Sequence, residues 1–364
     1  MTKAKRILII TDLSNKPAKM FSDQMPKLAK GFIRLGHDVR FFSYCDALSQ
    51  ISRFKSKNFT ILFYKSRIDE LLADQLKIYQ PDIVFINFAR ALDADTIIRA
   101  RRSAPNAVFV GSDGDPWPKL QKNRIETARK LDILTATNDD QWLQDYRDAG
   151  VRQCVFMPNI CDPDIDHRYD VEEKWKTDIL WIGKLHHHAD KSETFREKLV
   201  LELAKRPNCT LYGCCGRPTI GGMDCLYAIS GARIGININA YGPVKLCHSD
   251  RLTRFLAGGT FVMAKRFPDA DLLYKDGQHL KYFDEIGEFL ELSDWYLKHE
   301  DQRKKIADAG MERVHNEFNC RKIAQYYLDL IDTGAYSAPW TQLSNSTTQK
   351  PAEYSKEENS VGRH

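Results

Sequence analysis

Leu246-Cys247-His248-Ser249-Asp250-Arg251 opens the stretch whose reading decides the fold, and Phe255-Leu256-Ala257-Gly258-Gly259-Thr260-Phe261-Val262 closes it. The apolar run before it, 233–239, reads as a buried strand. Ser249 or Asp250 is placed to cap the helix that follows, and Gly258-Gly259 to end it. The pattern is therefore a strand, a loop and a helix N-terminus with an arginine in its first turn. Unpaired backbone N–H groups and the positive helix end make such a place receptive to phosphate.

Working outward, the same alternation recurs along the chain. Upstream, short apolar runs at 6–11, 38–44, 83–88, 107–111, 133–137 and 153–157 predict strands. Helical patterns fall between them at 20–35, 68–78, 93–102 and 139–149. A second series has strands at 178–182, 209–212, 233–239, 260–264 and 279–282, with helices at 193–205, 224–230, 285–299, 301–318 and 320–331. Apolar runs of four to six residues alternating with helices imply parallel sheets covered on both faces. The expected class is α/β, with two doubly wound Rossmann-like domains facing a central cleft. Residues 1–160 form the first domain and 161–318 the second. A helix at 319–336 packs back on the first, and 337–364, rich in Ser, Thr, Pro, Lys and Glu, reads as a disordered tail. The Pro-, Asp- and Asn-rich run 159–169 reads as the linker.

Composition bounds the function. The 364 residues carry 54 basic and 49 acidic side chains, a formal charge of +5. That mild excess suits a phosphorylated ligand and falls short of a DNA-coating protein. The apolar run Ile7-Leu8-Ile9-Ile10 is too short for a signal peptide or membrane span, so the cytoplasm is the expected compartment. Nine cysteines then read as reduced thiols. Adjacent Cys214-Cys215, near Cys209 and Cys225, fits no common zinc spacing and reads as buried free thiols. After the first strand comes Asp12-Leu13-Ser14-Asn15-Lys16-Pro17, with no G-x-G-x-x-G, and neither a Walker A sequence nor a G-x-S-x-G elbow occurs. Hydride transfer and ATP hydrolysis are disfavoured accordingly.

The C-terminal half resembles the CgeB-like (spore-maturation protein) branch of the GT-B glycosyltransferases. The resemblance rests on Asp224-Cys225-Leu226-Tyr227-Ala228-Ile229-Ser230, Ile234-Gly235-Ile236-Asn237-Ile238-Asn239, Ser249-Asp250-Arg251 and Ala257-Gly258-Gly259-Thr260. It continues through Leu272-Leu273-Tyr274-Lys275-Asp276-Gly277, Tyr282-Phe283-Asp284 and Arg303-Lys304-Lys305-Ile306-Ala307-Asp308-Ala309-Gly310. It covers roughly 178–331 and is only architectural over 1–160. It implies a nucleotide-sugar donor, UDP-linked or another nucleoside diphosphate, held by the second domain as substrate, with no cofactor and no bound metal. It implies an acceptor hydroxyl held by the first. Ser249, Asp250 and Arg251 would face the donor diphosphate, Gly183 and Lys184 would add charge near the leaving group, and Tyr212, Gly213 and Tyr227 would lie near the nucleobase. Many retaining relatives place two glutamates, separated by seven residues, around this helix. Here those positions hold Leu246 and Arg254. Donor identity and the choice between retention and inversion stay open.

The residues themselves add candidates. Gly111-Ser112-Asp113-Gly114-Asp115-Pro116-Trp117-Pro118 follows a strand and hangs two carboxylates at its carboxyl end. Asp113 or Asp115 is the expected base for the acceptor hydroxyl, with Asp12 as a rival and an Asx-turn as the structural alternative. His248 stands in the phosphate loop, where an imidazole can donate to a leaving phosphate. The run His186-His187-His188 lacks metal-ligand spacing and reads as exposed loop. Trp117, Trp142 and Trp181 read as packing residues. The expected activity is hexosyl or pentosyl transfer to a bacterial envelope glycan. The alternatives are glycosylation of hydroxymethylated bases in phage DNA, nucleotide-sugar epimerisation, and nucleotide-sugar binding without catalysis.

Overall fold

The computed structural model describes residues 3–13, 24–54, 56–87, 92–114, 120–185, 194–239 and 242–341. Asp115, Trp117, the run His186-His187-His188 and residues 342–364 lie outside them. The first half runs β1 (Arg6–Thr11), α1 (Gln24–Arg34), β2 (Asp38–Ser43), α2 (Tyr44–Ile51), α3 (Lys57–Tyr79), β3 (Ile83–Asn87), α4 (Ala94–Ser103), β4 (Val108–Asp113), α5 (Lys122–Ala128), β5 (Ile133–Ala136), α6 (Gln141–Asp148) and β6 (Cys154–Phe156). After a short 3-10 turn at Glu173–Trp175 the second half runs β7 (Thr177–Ile182), α7 (Phe195–Leu203), β8 (Cys209–Tyr212), α8 (Gly222–Gly231), β9 (Ala232–Asn237), α9 (Asp250–Ala257), β10 (Phe261–Lys265), α10 (Ala270–Leu273), β11 (Lys281–Phe283), α11 (Ile286–Lys298), α12 (Glu300–Glu317) and α13 (Cys320–Thr333).

Two sheets result, ordered β2-β1-β3-β4-β5-β6 and β11-β10-β9-β7-β8, with parallel pairing throughout. Strands buried on both faces need apolar side chains at successive positions, because alternate residues point to opposite layers. In β1, Ile7 and Ile9 join one core while Leu8 and Ile10 join another. In each sheet the order reverses beside the domain's first strand, opening a crevice between β1 and β3 and between β7 and β9.

Three helices escape the sequence reading: α2, α5 and α10. The first begins directly after a strand with no turn residue, and the other two are short. Helix α3 is 23 residues long, not the segment 68–78 that periodicity suggests. Ile68, Leu72 and Leu76 face inward, but Phe59, Leu62 and Phe63 face solvent and blur the amphipathic pattern.

The segment 159–169 is pinned down. Lys27 Nζ reaches Asp166 at 2.5 Å and Lys30 reaches Asp162 at 2.7 Å, with both aspartates buried. Beyond it, α13 lies along α1, and Tyr327 shares a 3.0 Å hydrogen bond with Thr135 at the end of a first-domain strand. The expected tail begins too early at 337. Trp340 is buried, its ring 4.8 Å from that of Phe318, and Tyr336 donates to the Phe156 carbonyl at 2.6 Å. Aromatic burial of this size holds the segment to the core through Thr341.

The α1–α13 contact depends on Gly31. A Cβ there would lie 2.0 Å from the Cys320 carbonyl oxygen and 2.9 Å from Ala324 Cβ, so backbone itself would have to move. Gly31→Val should destabilise the protein by at least about 2 kcal/mol through overpacking. Chemical denaturation checks this, and an unchanged midpoint would show that the helices tolerate separation.

Candidate functional site

The crevice between β7 and β9 is closed by one side chain. Arg251, in the first turn of α9, donates through Nη1 to the carbonyl of Ile182 and through Nη2 to that of Ile238 at 2.9 Å. These carbonyls lie at the carboxyl ends of the two strands that diverge at the switch point. Its guanidinium carbon stands 4.7 Å over the Trp181 ring. Arg196, in the first turn of α7, stands 4.9 Å over the same ring and donates to the Lys184 carbonyl at 2.6 Å. Between them Gly183 carries no side chain. A Cβ there would lie 2.5 Å from Arg251 Nη1 and 2.8 Å from Arg196 Nη2.

Arg251 and Arg196 both bring positive charge to the crevice. Among the described residues neither forms an ion pair, and the Nε of each finds no partner. Asn237, wholly buried at the end of β9, accepts from the Ser249 hydroxyl at 2.7 Å while its own Nδ2 is unpaired. Burial pushes Arg251 down to about 9, helped by the neighbouring Arg196 and opposed by Asp250. Burial pushes Arg196 down to about 10. Buried donors without protein acceptors are costly and suit a ligand made of acceptors. Ser249 occupies the N-cap position, but its hydroxyl is engaged by Asn237 and makes no cap bond, so no cap side chain covers the start of α9.

The other expected donor residues divide. Lys184 is exposed at the same edge, with its carbonyl held by Arg196. Tyr212 and Gly213 end β8 beside it. Gly183 donates to the Tyr212 carbonyl at 3.0 Å, and Gly213, with a φ of 81°, lies against the Gly183 backbone. Asp250 sits half-buried in the first turn of α9. Tyr227 is elsewhere: its ring packs on Tyr169 at 5.5 Å and on Trp175 at 6.0 Å, toward the chain that leads into the amino end of β7. His248 also points away. Its ring is buried between Phe267 and Tyr274 and meets the Thr253 hydroxyl at 3.3 Å. Burial pushes it down to about 4, so the ring is neutral at pH 7, and its direction keeps it from the start of α9.

In the first domain, Asp113 is buried and fully engaged. One carboxylate oxygen takes Arg124, and the other accepts from Tyr146 at 2.7 Å. Burial and that carboxylate push the Tyr146 phenol well up. The group braces α5 and α6 against the end of β4. At the crevice between β1 and β3 stand Thr11, Asn87 and half-buried Asp12. Asn87 donates to the Thr11 hydroxyl at 3.3 Å, and Asp12 accepts from the Cys45 amide at 3.0 Å.

Sequence reading missed Arg196, and its signal was a basic residue in a first helical turn. All nine cysteines are free; Cys214 and Cys225 are buried, but Cys215 is exposed because its left-handed turn faces solvent. No group of three or more His, Cys, Asp or Glu side chains converges as a metal would require, among the described residues.

Residues 194–329 match a family model described as glycosyl transferase-like. No curated protein matches the sequence. Among solved structures, a glycosyltransferase from Rickettsia africae superposes at a TM-score of 0.58 and 13% identity, over 95% of this chain and all of that one. Anabaena HepE in complex with UDP and glucose does so at 0.62 and 13%, over 90% and all of that chain. Sucrose-phosphate synthase from Thermosynechococcus elongatus follows at 0.58 and 11%, over 90% of this chain and 98% of that one. Residues 194–329 thus carry the glycosyl transferase-like pattern within a two-domain GT-B fold.

Proposed function

We propose that the protein transfers a sugar from a nucleotide-sugar donor to an acceptor hydroxyl, in the CgeB-like manner its C-terminal motifs suggest. The observation that carries this reading is the pair formed by buried Arg196 and half-buried Arg251, each with a buried unpaired Nε, set on Trp181 at the switch point of the second sheet. A diphosphate supplies the acceptors that they lack. In transfer, charge accumulates on the diphosphate as the glycosidic bond breaks, and fixed cations beside it stabilise it most at that moment. Lys184, exposed at the rim, adds a point charge on the same side. HepE, which shares the fold, binds UDP and UDP-glucose, and this supports a UDP-sugar as donor here.

The acceptor belongs in the crevice of the first sheet, between β1 and β3. We assign Asp12, which accepts from the Cys45 amide there, to take the proton from a hydroxyl, with Asp115 as its rival, since Asp113 is engaged by Arg124 and Tyr146. Nine free cysteines suit the cytoplasm as the compartment of the reaction. A glycan of the bacterial envelope is the acceptor class we favour.

Arg251→Ala should weaken UDP binding about ten- to a hundred-fold, the loss of hydrogen bonds between charged partners, and Arg251→Lys should recover part of it. Arg196→Ala should behave alike. Titration calorimetry on variants of unchanged melting temperature measures this, and wild-type affinity in both alanine variants would end the diphosphate assignment.

His248 gives an independent prediction. Its pKa falls from an ordinary 6.5 to about 4 on folding, and His279 is likewise pushed down to about 4 by burial and by Arg313 and Lys275. The unfolded chain therefore binds more protons than the folded one between those values, and stability drops as pH falls from 6.5 toward 4. Each histidine contributes a slope of up to about 1.4 kcal/mol per pH unit. His248→Asn should flatten the acid limb of a melting-temperature profile and leave UDP affinity near normal. A parallel loss of UDP affinity would return His248 to the donor site.

A further inference from the structure

Helix α3 carries a surface that the transfer chemistry does not use. Phe59, Leu62 and Phe63 are 53%, 73% and 63% exposed on its first two turns, and Phe54 just before it is 45% exposed. The phenyl rings of Phe54 and Phe63 lie 5.3 Å apart and those of Phe54 and Phe59 5.9 Å, so they form one cluster instead of scattered residues. Soluble surfaces rarely leave such a cluster uncovered without an interaction to fill it.

Charge indicates what fills it. The stretch 53–67 contains five basic residues and no acidic one. Lys65 is satisfied internally by Asp69 and Asp93. Arg53 and Arg67 are exposed at the two ends of the aromatic cluster, and neither makes an ion pair among the described residues. Aromatic rings between cations match the interface of an anionic bilayer, where rings enter the headgroup boundary and arginines meet lipid phosphates.

The place of the cluster in the fold adds direction. Tyr79, at the end of α3, donates to the Asp38 carbonyl at 3.0 Å, at the amino edge of the first sheet. Lys65 meets Asp93, the cap of α4, at 3.1 Å, at the carboxyl edge. The fourteen residue steps from Lys65 to Tyr79 rise about 21 Å and span the strands, so the preceding turns project about 12 Å beyond the carboxyl edge. That edge is the one bearing the β1–β3 crevice.

We propose that Arg53, Phe54, Phe59, Leu62, Phe63 and Arg67 form a docking surface for anionic phospholipid bilayers. Resting on the transferase reading, it follows that the acceptor is one displayed at a membrane surface. No helix among the described residues is long and apolar enough to cross a membrane, so attachment is peripheral.

The test is co-sedimentation of the full chain with phosphatidylcholine vesicles, with and without phosphatidylglycerol, beside UDP titration of the same preparations. The wild-type protein should pellet with the anionic vesicles, release as salt rises, and partition weakly onto phosphatidylcholine alone. Phe59→Ser with Phe63→Ser, and separately Arg53→Gln with Arg67→Gln, should each lower partition about ten-fold or more with UDP affinity unchanged. Both arginines are solvent-exposed, so their variant folds even if the aromatic variant does not. Absence of pelleting, or equal pelleting by the arginine variant, overturns the proposal. So does a wild-type dimer that the phenylalanine variant converts to monomer, since a second copy would then cover the cluster. Loss of UDP binding in the wild type would instead strike the donor reading and leave the vesicle result standing.

Discussion

The hydrogen bonds from Arg251 to the carbonyls of Ile182 and Ile238 tie together the strands that diverge at the switch point of the second sheet. Strand ends at such a point have carbonyls with no ladder partner, and burying them unpaired is costly. One planar guanidinium satisfies both and keeps donors to spare. Gly183 follows from that choice, because any side chain would occupy the space of the two guanidinium groups. Trp181 follows as well: its π face supports both cations without neutralising either, so the positive charge stays available to a ligand.

The same site is positioned by both domains. The loop that leads into α9 is held from the first domain at three points. Asn159 donates to the His248 carbonyl at 2.8 Å, Asp140 accepts from the Lys245 amide at 2.7 Å, and the Asp139 amide donates to the Lys245 carbonyl at 3.1 Å. The His248 ring then anchors the loop from below, between Phe267 and Tyr274. A shift of one domain against the other would therefore move the N-terminus of α9, and Arg251 with it.

The strands were legible in the sequence because doubly buried parallel strands must be runs of apolar residues, and few other elements are. Arg251 was legible because a cap, a helix start and a glycine stop surround it. Arg196 was not, since one arginine among Lys184, Lys191 and Lys198 looks like an ordinary charged helix, and only folding buries it against Trp181. His248 and Tyr227 show the converse limit. Both were expected at the donor crevice, but side-chain direction depends on the local backbone. Leu246, at a φ of 56°, turns the chain just before His248, and the α8 surface that carries Tyr227 faces Trp175. Asp113 shows a third limit: a carboxylate at a strand end is visible in sequence, but its engagement by Arg124 and Tyr146 is not.

Arg254 is a further arginine of α9, one turn beyond Arg251. Where many retaining relatives carry the second glutamate, this side chain sends Nη2 to the Cys225 thiol at 3.3 Å. Burial pulls its pKa down, but Cys225 and the carboxylates of Asp250 and Asp166 outweigh that and raise it, so it stays cationic. A carboxylate at that helix position would recognise sugar hydroxyls and lower the local potential. An arginine does neither. Arg196 and Arg251 form no ion pair among the described residues, and on the transferase reading phosphate charge is what these arginines would recognise, through paired N–H groups. On the transferase reading, the diphosphate anchors the donor, and the remaining polar contacts along β8 and α8 decide which sugar accompanies it.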